Sequence, residues 1–355
     1  MVNLVDLSRP RVLTWHVHGS YLYYLAHTPC LFILPVKDGR PEGYGGRGGN
    51  FAWPENVVEV PAEEIPDTDF DVILFQSKRN YLRDQFEILT PGQRRLPRIF
   101  LEHDPGLQSP TDTRHFVDDP NALLVHVTAF NDLMWDSGRT PTRVIEHGVT
   151  VPDGLRYGGT TDRGIAVVNN LARRGRRLGA DVFDRVAADV PVDLAGMGSE
   201  ELGGLGDLPH HELLDREADY RFFFNPIRYT SLGLAVLEAM MLGLPVVGLA
   251  TTELPTVVED GVSGYTDTRI DVLVERMRGL LRDPDLARRL GEAGRSHALD
   301  RFGIDRFVAD WLGAFEEVAS RGSQPGTAHA GLGNLDSTQQ AGESPAAAPA
   351  LKEAP

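Results

Sequence analysis

The chain has 355 residues, enough for one large domain or two of roughly 150 each, and its 41% apolar and 24% charged content suits a globular protein with a real core. Lys and Arg number 35 against 51 Asp and Glu, a formal net charge of −16, which argues against binding along a nucleic-acid backbone, since that needs a basic face and counterion release. A lone cysteine, Cys30, excludes an internal disulfide framework and points to a reducing compartment, while the absence of an apolar h-region in Met1–Arg11 and of a run near 18 apolar residues leads to the expectation of a soluble, cytoplasmic protein.

From there, short apolar runs alternate with helical patterns, which predicts βαβ units around parallel sheets. Strands are expected at Val12–Val17, Leu31–Val36, Val72–Phe75, Arg98–Leu101, Leu123–Thr128 and Arg143–Glu146, with helices near Ser20–Ala26, Ser77–Leu89 and Ala129–Asp136. The stretch Asp38–Asn50 is too rich in glycine for either element and is expected to be mobile or ligand-ordered, with Arg47 as a phosphate contact or the whole as a plain connector.

A Gly/Asp/Thr-rich stretch, Pro152–Arg163, opens a second half. There the strands are expected at Ile165–Val168, Val192–Ala195, Tyr220–Phe224 and Pro245–Leu249. The helices fall at Leu178–Ala188, Glu212–Arg216, Leu232–Leu242, Asp271–Leu281, Pro284–Leu299 and Ile304–Val318. The fold class is α/β, two facing Rossmann-like domains, 1–150 and 151–320, with ligands at the carboxyl ends of the strands. From 321 to 355 the composition turns to Gly, Ala, Ser, Pro and Gln without periodicity, which predicts a disordered tail.

Chemistry is most concentrated around one carboxylate. The run from Ser231 to Val247 contains a single ionisable side chain, Glu238, in a helix apolar on every side. An unpaired buried carboxylate is costly. Either a structural partner satisfies it, an Arg or a backbone cap, or it accepts hydrogen bonds from the hydroxyls of a sugar. Ahead of it, Thr230, Ser231, Leu232 and Gly233 would place backbone N–H groups at the helix N-terminus, where a phosphate or hydroxyl-rich group can be held.

The run PIRYTSLGLAVLEAM from Pro226 to Met240 resembles the donor-site signature of GT-B glycosyltransferases of family 4, commonly PSRYEGFGLxxLEAM with its E-x7-E spacing. GLPVVG from Gly243, ELPTVVEDGVSG from Glu253 and DPDLARRLGEAG from Asp283 follow that family's downstream pattern in order. The resemblance is dense from about Ile165 to Val318 and thin before residue 95. It implies a GT-B architecture with an acceptor-side first domain, a nucleotide-sugar-binding second domain and a last helix that crosses back to the first. By resemblance Glu238 contacts the nucleotide ribose. The family's other glutamate, which touches the donor sugar, is Thr230 here.

Other residues expected in the cleft follow the strand ends. Asn169–Arg177 is a cationic island, with Arg173, Arg174, Arg176 and Arg177 placed to neutralise a leaving diphosphate; the alternative is a solvated basic loop. By resemblance Arg174-Gly175 sits where the family has Lys-Gly, and Asn170 replaces the family arginine. His103 and Asp104 follow a strand directly, like the family's His-Asp pair, and make His103 and Arg174 the expected catalytic residues. Glu102 points the other way on strand alternation. Gly19 and Ser20 resemble the first GT-B loop, close to the donor diphosphate. His16 and His18 share a strand face, but no third ligand spacing accompanies them, so no metal is expected. His147 and Thr128 read as structural, and the aromatics Phe302, Phe307, Trp311 and Phe315 as packing.

The resemblance implies a retaining, metal-independent glycosyltransferase with no cofactor, active in glycan, polysaccharide or glycoconjugate synthesis. Its partners are a nucleotide-sugar donor and an unidentified acceptor, a saccharide, a lipid-linked glycan or a small molecule; the sequence leaves the oligomeric state open. The alternatives are a non-catalytic nucleotide-sugar binder or partner subunit, and a sugar-nucleotide epimerase. Peripheral attachment at the inner face of a membrane goes with a lipid-linked acceptor, though no basic amphipathic patch is evident in the sequence.

Overall fold

A computed structural model describes residues 9–17 and 19–322; His18 and the expected tail, apart from Arg321 and Gly322 at the end of the last helix, lie outside them. The described residues belong to one compact unit.

Among the described residues the first half forms β1 (Arg11–Thr14), β2 (Leu31–Val36), β3 (Val57–Pro61), β4 (Val72–Phe75), β5 (Arg98–Glu102), β6 (Ala122–His126) and β7 (Thr142–Val144). They make one parallel sheet in the order β3-β2-β1-β4-β5-β6-β7. The second half forms β8 (Thr161–Val167), β9 (Val192–Ala195), β10 (Tyr220–Asn225), β11 (Val246–Leu249) and β12 (Gly264–Asp267), again parallel, in the order β9-β8-β10-β11-β12. Runs such as VILF and RFFF are buried along their whole length because helices cover both faces of such sheets.

Alternation along the strands sorts the core. Val12, Leu34, Leu74 and Leu101 of the first sheet join Ile165, Phe223 and Val246 of the second in one continuous apolar cluster. Their neighbours Leu13, Ile73 and Phe100 face a separate cluster on the far side of the first sheet, and Phe222, Phe224 and Val247 one on the far side of the second. The two halves are therefore joined by shared core. The last helix adds to the joint: α9 (Ile304–Gly322) donates from Trp311 Nε1 to the Tyr21 hydroxyl at 3.0 Å, packs Phe307 on Gly148, and pairs Glu317 with Arg143 at 3.4 Å.

Several expectations need correction. Strand β3 was missed because VVEVP reads as neither alternating nor continuous, yet it pairs along β2 at the sheet edge. Strand β12 was missed too, because GYTD has one large apolar side chain between residues, Gly and Asp, that are common in turns. The glycine-rich stretch 38–50 is fastened: Glu59 of β3 takes both guanidinium nitrogens of Arg40 at 2.9 Å and the backbone N–H of Arg47 at 2.7 Å, and Tyr44 is fully buried. Arg47 is engaged there through its backbone. The basic stretch is helix, α3 (Leu171–Leu178), broken at Gly175 where φ is 57° and ψ −139°, before α4 (Ala180–Ala187).

The helix of the apolar run, α6 (Leu234–Leu242; α5 is His210–Glu217), ends at Gly243 with φ 98°, a left-handed C-terminal stop. It is held by α8 (Pro284–Phe302, after α7, Ile270–Arg282), which brings Gly291 so close that an added Cβ would meet the Gly243 carbonyl oxygen at 1.9 Å. Gly291→Ala is therefore expected to lower stability by about 2–3 kcal/mol in urea unfolding, whereas Arg289→Ala on the exposed face of the same helix leaves the midpoint within error.

Candidate functional site

Helix α6 delivers Glu238 into the joint between the sheets, where the side chain is buried. Its Oε1 accepts from the Tyr24 hydroxyl at 2.6 Å and lies 2.9 Å from His210 Nε2. Tyr24 comes from α1 (Gly19–Leu25) of the first half, and His210 begins α5. Of the two sequence readings, a structural partner and a sugar hydroxyl, the partner is present, but it is a tyrosine and a histidine. Burial and the Glu238 charge hold the Tyr24 hydroxyl well above its usual range. Phe51 and Tyr23 pack on the His210 ring, with centroids 5.1 and 5.6 Å away.

Beside this cluster is a second carboxyl, Glu217, at the end of α5. It is fully buried and neither oxygen has a hydrogen-bond partner. Burial, then the neighbouring Glu238 charge, pushes its pKa well above the ordinary value. Glu217 thus resists ionisation, whereas Glu238 is the hydrogen-bond acceptor.

A second group of residues gathers about Asp104, after β5. Its backbone N–H donates to Glu102 Oε1 at 3.0 Å and its carbonyl accepts from Trp135 Nε1 at 2.8 Å. Glu102 also meets His115 Nε2 at 3.0 Å, so although it faces away it sets Asp104 in place. From the second half, the Thr230 hydroxyl donates to Asp104 Oδ1 at 3.1 Å and the Tyr229 hydroxyl to the Gly106 carbonyl at 3.0 Å. His103 stands edge-on against Tyr21, ring centroids 4.9 Å apart.

Arg174 completes this group. Its guanidinium is half-buried and its pKa is lowered, by burial first and then by Arg177 and Arg173, with Asp104 acting in the opposite direction. Arg177 holds the signature loop through its carbonyl, which accepts the N–H groups of Arg228 and Tyr229 at 3.1 Å, while its Nη1 is buried without a partner. Arg173 is exposed and Arg176 pairs with Asp181 at 2.6 Å, so the four arginines divide. Asn170 takes left-handed geometry at the start of α3, a conformation asparagine tolerates. Gly233, in the N-cap position just before α6, is extended and supplies no side-chain cap to the first N–H groups of α6. Ser231 and Leu232 are buried, and the Leu232 carbonyl accepts from His147 Nε2 at 3.0 Å. His147 is kept neutral by burial, which lowers its pKa to about 4.

The structure therefore brings together His103, Asp104, Thr230 and Arg174 on one side and Glu238, Tyr24 and His210 on the other, along the same loop and helix. Gly19 packs against His16 and Phe51, with Ser20 next to it in α1. His16 turns its Nδ1 to the Gly46 carbonyl. Among the described residues no three His, Cys, Asp or Glu come together as a metal site. Sequence reasoning missed Tyr24, His210 and Glu217. The HH pair opening a helix was the one visible signal, and nothing local linked it to Glu238.

Comparison with known proteins bears on the fold and on part of the second half. Residues 201–297 match the family model described as Glycosyl transferases group 1, and that stretch contains Thr230–Gly233 and Glu238. The alpha-maltose-1-phosphate synthase of Mycolicibacterium smegmatis is 30% identical over 121 residues, 32% of this chain and 31% of that protein. The chain thus spans about a third or less of the length of the curated relatives it matches. Among solved structures, sucrose-phosphate synthase from Thermosynechococcus elongatus superposes with a TM-score of 0.65 at 15% identity, covering 88% of this chain and 99% of that one. The Anabaena HepE structure in complex with UDP gives 0.60 at 14% identity, covering 87% and 100%. The fold is that of the GT-B glycosyltransferases.

The buried carboxyl makes a prediction about pH. In the folded protein Glu217 keeps its proton above the ordinary carboxyl value of 4.5, whereas the unfolded chain gives it up, so stability is full below that value and falls as pH rises toward the folded pKa. Glu217→Gln copies the neutral form. Urea midpoints of wild type and variant are expected to run parallel below 4.5 and diverge above it, the wild type losing up to about 1.4 kcal/mol per pH unit. Parallel curves throughout would show that Glu217 is ionised.

Proposed function

We propose that the protein is a retaining glycosyltransferase, which moves a sugar from a nucleotide-sugar donor to an acceptor hydroxyl. The observation that carries the reading is the half-buried Arg174, opposed by Arg177 and Arg173, next to the loop that leads into the uncapped N-terminus of α6. Fixed positive charge and free N–H groups, held by the protein before the ligand arrives, are what a departing diphosphate requires. The group 1 match over residues 201–297 supports the same assignment.

In this reading Glu238 accepts from the ribose hydroxyls, drawing on the carboxylate that Tyr24 and His210 now orient. Arg174 and the α6 N–H groups bind the diphosphate, with Ser231, Leu232 and Gly233 shaping the loop and Arg173, Asn170, Gly19 and Ser20 around it. The anomeric carbon–phosphate oxygen bond breaks as the acceptor oxygen bonds to the same face of the sugar, and the acceptor proton passes to a phosphate oxygen. His103, Asp104 and Thr230 line the donor-sugar side. Charge neutralisation is assigned to arginine and backbone, with no cofactor. Closure of the cleft would exclude water and spare the donor from hydrolysis. The reaction is placed in the cytoplasm, where the buried Cys30 thiol, pushed up to about 11, stays reduced and inert.

Calorimetric titration with UDP, GDP, dTDP, CDP and ADP tests this. One diphosphate is expected to bind clearly more tightly than the others, and Arg174→Ala to weaken it by about tenfold to a hundredfold, the cost of removing a hydrogen bond to a charged group. Failure of all five to bind, or an unchanged affinity in the variant, contradicts the reading.

A further inference from the structure

The segment after β4 carries a surface that the cleft does not use. Residues 78–88 form a helix widened by a π turn at Asn80–Asp84, and the wide turn brings Leu82 and Phe86 to one outer face. Leu82 is 46% and Phe86 62% exposed. Around them the chain from 78 to 98 holds six basic residues against two acidic ones, in a protein of net charge −16. Both acids are spoken for: Asp84 is buried and bound by Asn80 at 2.8 Å and Arg79 at 3.3 Å, and Glu87 pairs with Lys37 at 3.0 Å. Lys78, Arg83 and Arg95 stand exposed, and the Arg94 guanidinium lies 5.2 Å from the Phe86 ring centroid. Between Phe86, Pro91 and Arg94 a hollow of about 450 Å³ opens to the outside.

We infer that this face docks the protein on an anionic membrane surface. An exposed aromatic and an exposed aliphatic side chain one turn apart, ringed by Lys and Arg, is the pattern that enters the boundary between headgroups and acyl chains. Each cation gains by nearness to acidic headgroups without needing a shaped partner. A protein partner would need roughly 800 Å² of matched surface on this side, whereas a layer of headgroups needs no matched surface. The charge contrast fixes the orientation: the acidic remainder of the molecule is repelled by the same surface that draws this face in. The patch is invisible as a charge run in the sequence because Lys78, Arg79, Arg83, Arg94 and Arg95 are spread over two turns and a loop. The inference does not depend on the reading of the cleft, since the patch lies outside the stretch that matches the group 1 family.

Flotation of the full chain with phosphatidylcholine vesicles, with and without about a third phosphatidylglycerol, tests it. The protein is expected to float with the anionic vesicles and not with the neutral ones, and to be released as salt rises from about 0.1 M to about 0.5 M. Arg83→Glu combined with Arg95→Glu, and separately Phe86→Ser, should each weaken flotation by about tenfold or more. Arg289→Glu, an exposed site in the second half, should float like wild type. Nucleotide binding and circular dichroism on the same preparations separate loss of docking from loss of the cleft or of the fold. Absence of flotation in the wild type overturns the inference, as does wild-type flotation by both patch variants. Binding to polyglutamate but not to vesicles, lost on Arg83→Glu with Arg95→Glu, would overturn it in favour of an acidic protein partner.

Discussion

Glu238 is the one ionisable side chain of α6, and taking its carboxylate out of water costs several kcal/mol unless donors replace the lost hydration. The donors are Tyr24 from the first half and His210 from the second, both on the same oxygen. Helix α1 must therefore dock on α6 for the carboxylate to be satisfied, and the docking is made possible by the apolar cluster that the two sheets share. The same need explains Glu217: with the local donors already committed to Glu238, a second carboxyl in the cluster has none, and its pKa is raised.

Around this joint, smaller contacts tie the two halves together. His147 holds the Leu232 carbonyl, Asp104 takes the Thr230 hydroxyl, and the Phe130 N–H donates to Glu253 Oε2 at 2.9 Å. Each joins the first half, at a strand end, a loop or the start of a helix, to a loop of the second. Arg301 adds to them, donating to Glu146 and, at 2.6 Å, to the Thr256 carbonyl. The loop from Arg228 to Gly233 is thereby fixed at both ends, by the Arg177 carbonyl on one side and by His147 on the other. A loop held in this way presents its N–H groups without reorganising when a ligand arrives, the condition under which electrostatic stabilisation is largest.

Much of the framework was legible from local pattern. Strands buried on both faces, such as Leu31–Val36, Val72–Phe75 and Val192–Ala195, stand out as apolar runs between turn residues, and their observed limits match the expected ones. Helix α6 announced itself because its apolar residues surround a single carboxylate. What stayed hidden depends on distance or on geometry that spacing does not carry. Tyr24 lies 214 residues from Glu238. Glu217 ends the stretch LLDRE and looks like a solvated helix-end acid, yet the packing of α5 against α6 buries it. The run LARRGRRL shows no helical pattern in sequence because five of its eight residues are glycine or arginine, whereas Leu171 and Leu178 are buried and pin it as helix. Glycines around Tyr44 suggested mobility, and the anchor that removes it, Glu59, sits on the strand that was missed.

A comparison of a ribonucleoside diphosphate with its 2′,3′-dideoxy counterpart, titrated into wild type and into Glu238→Gln, addresses the central assignment. If the Glu238 carboxylate accepts from the ribose hydroxyls, the wild type favours the ribonucleotide by about tenfold, a charged hydrogen bond's worth, and the preference collapses in the variant. A preference of equal size in both proteins, or none in the wild type, would mean that Glu238 serves only to join the two halves.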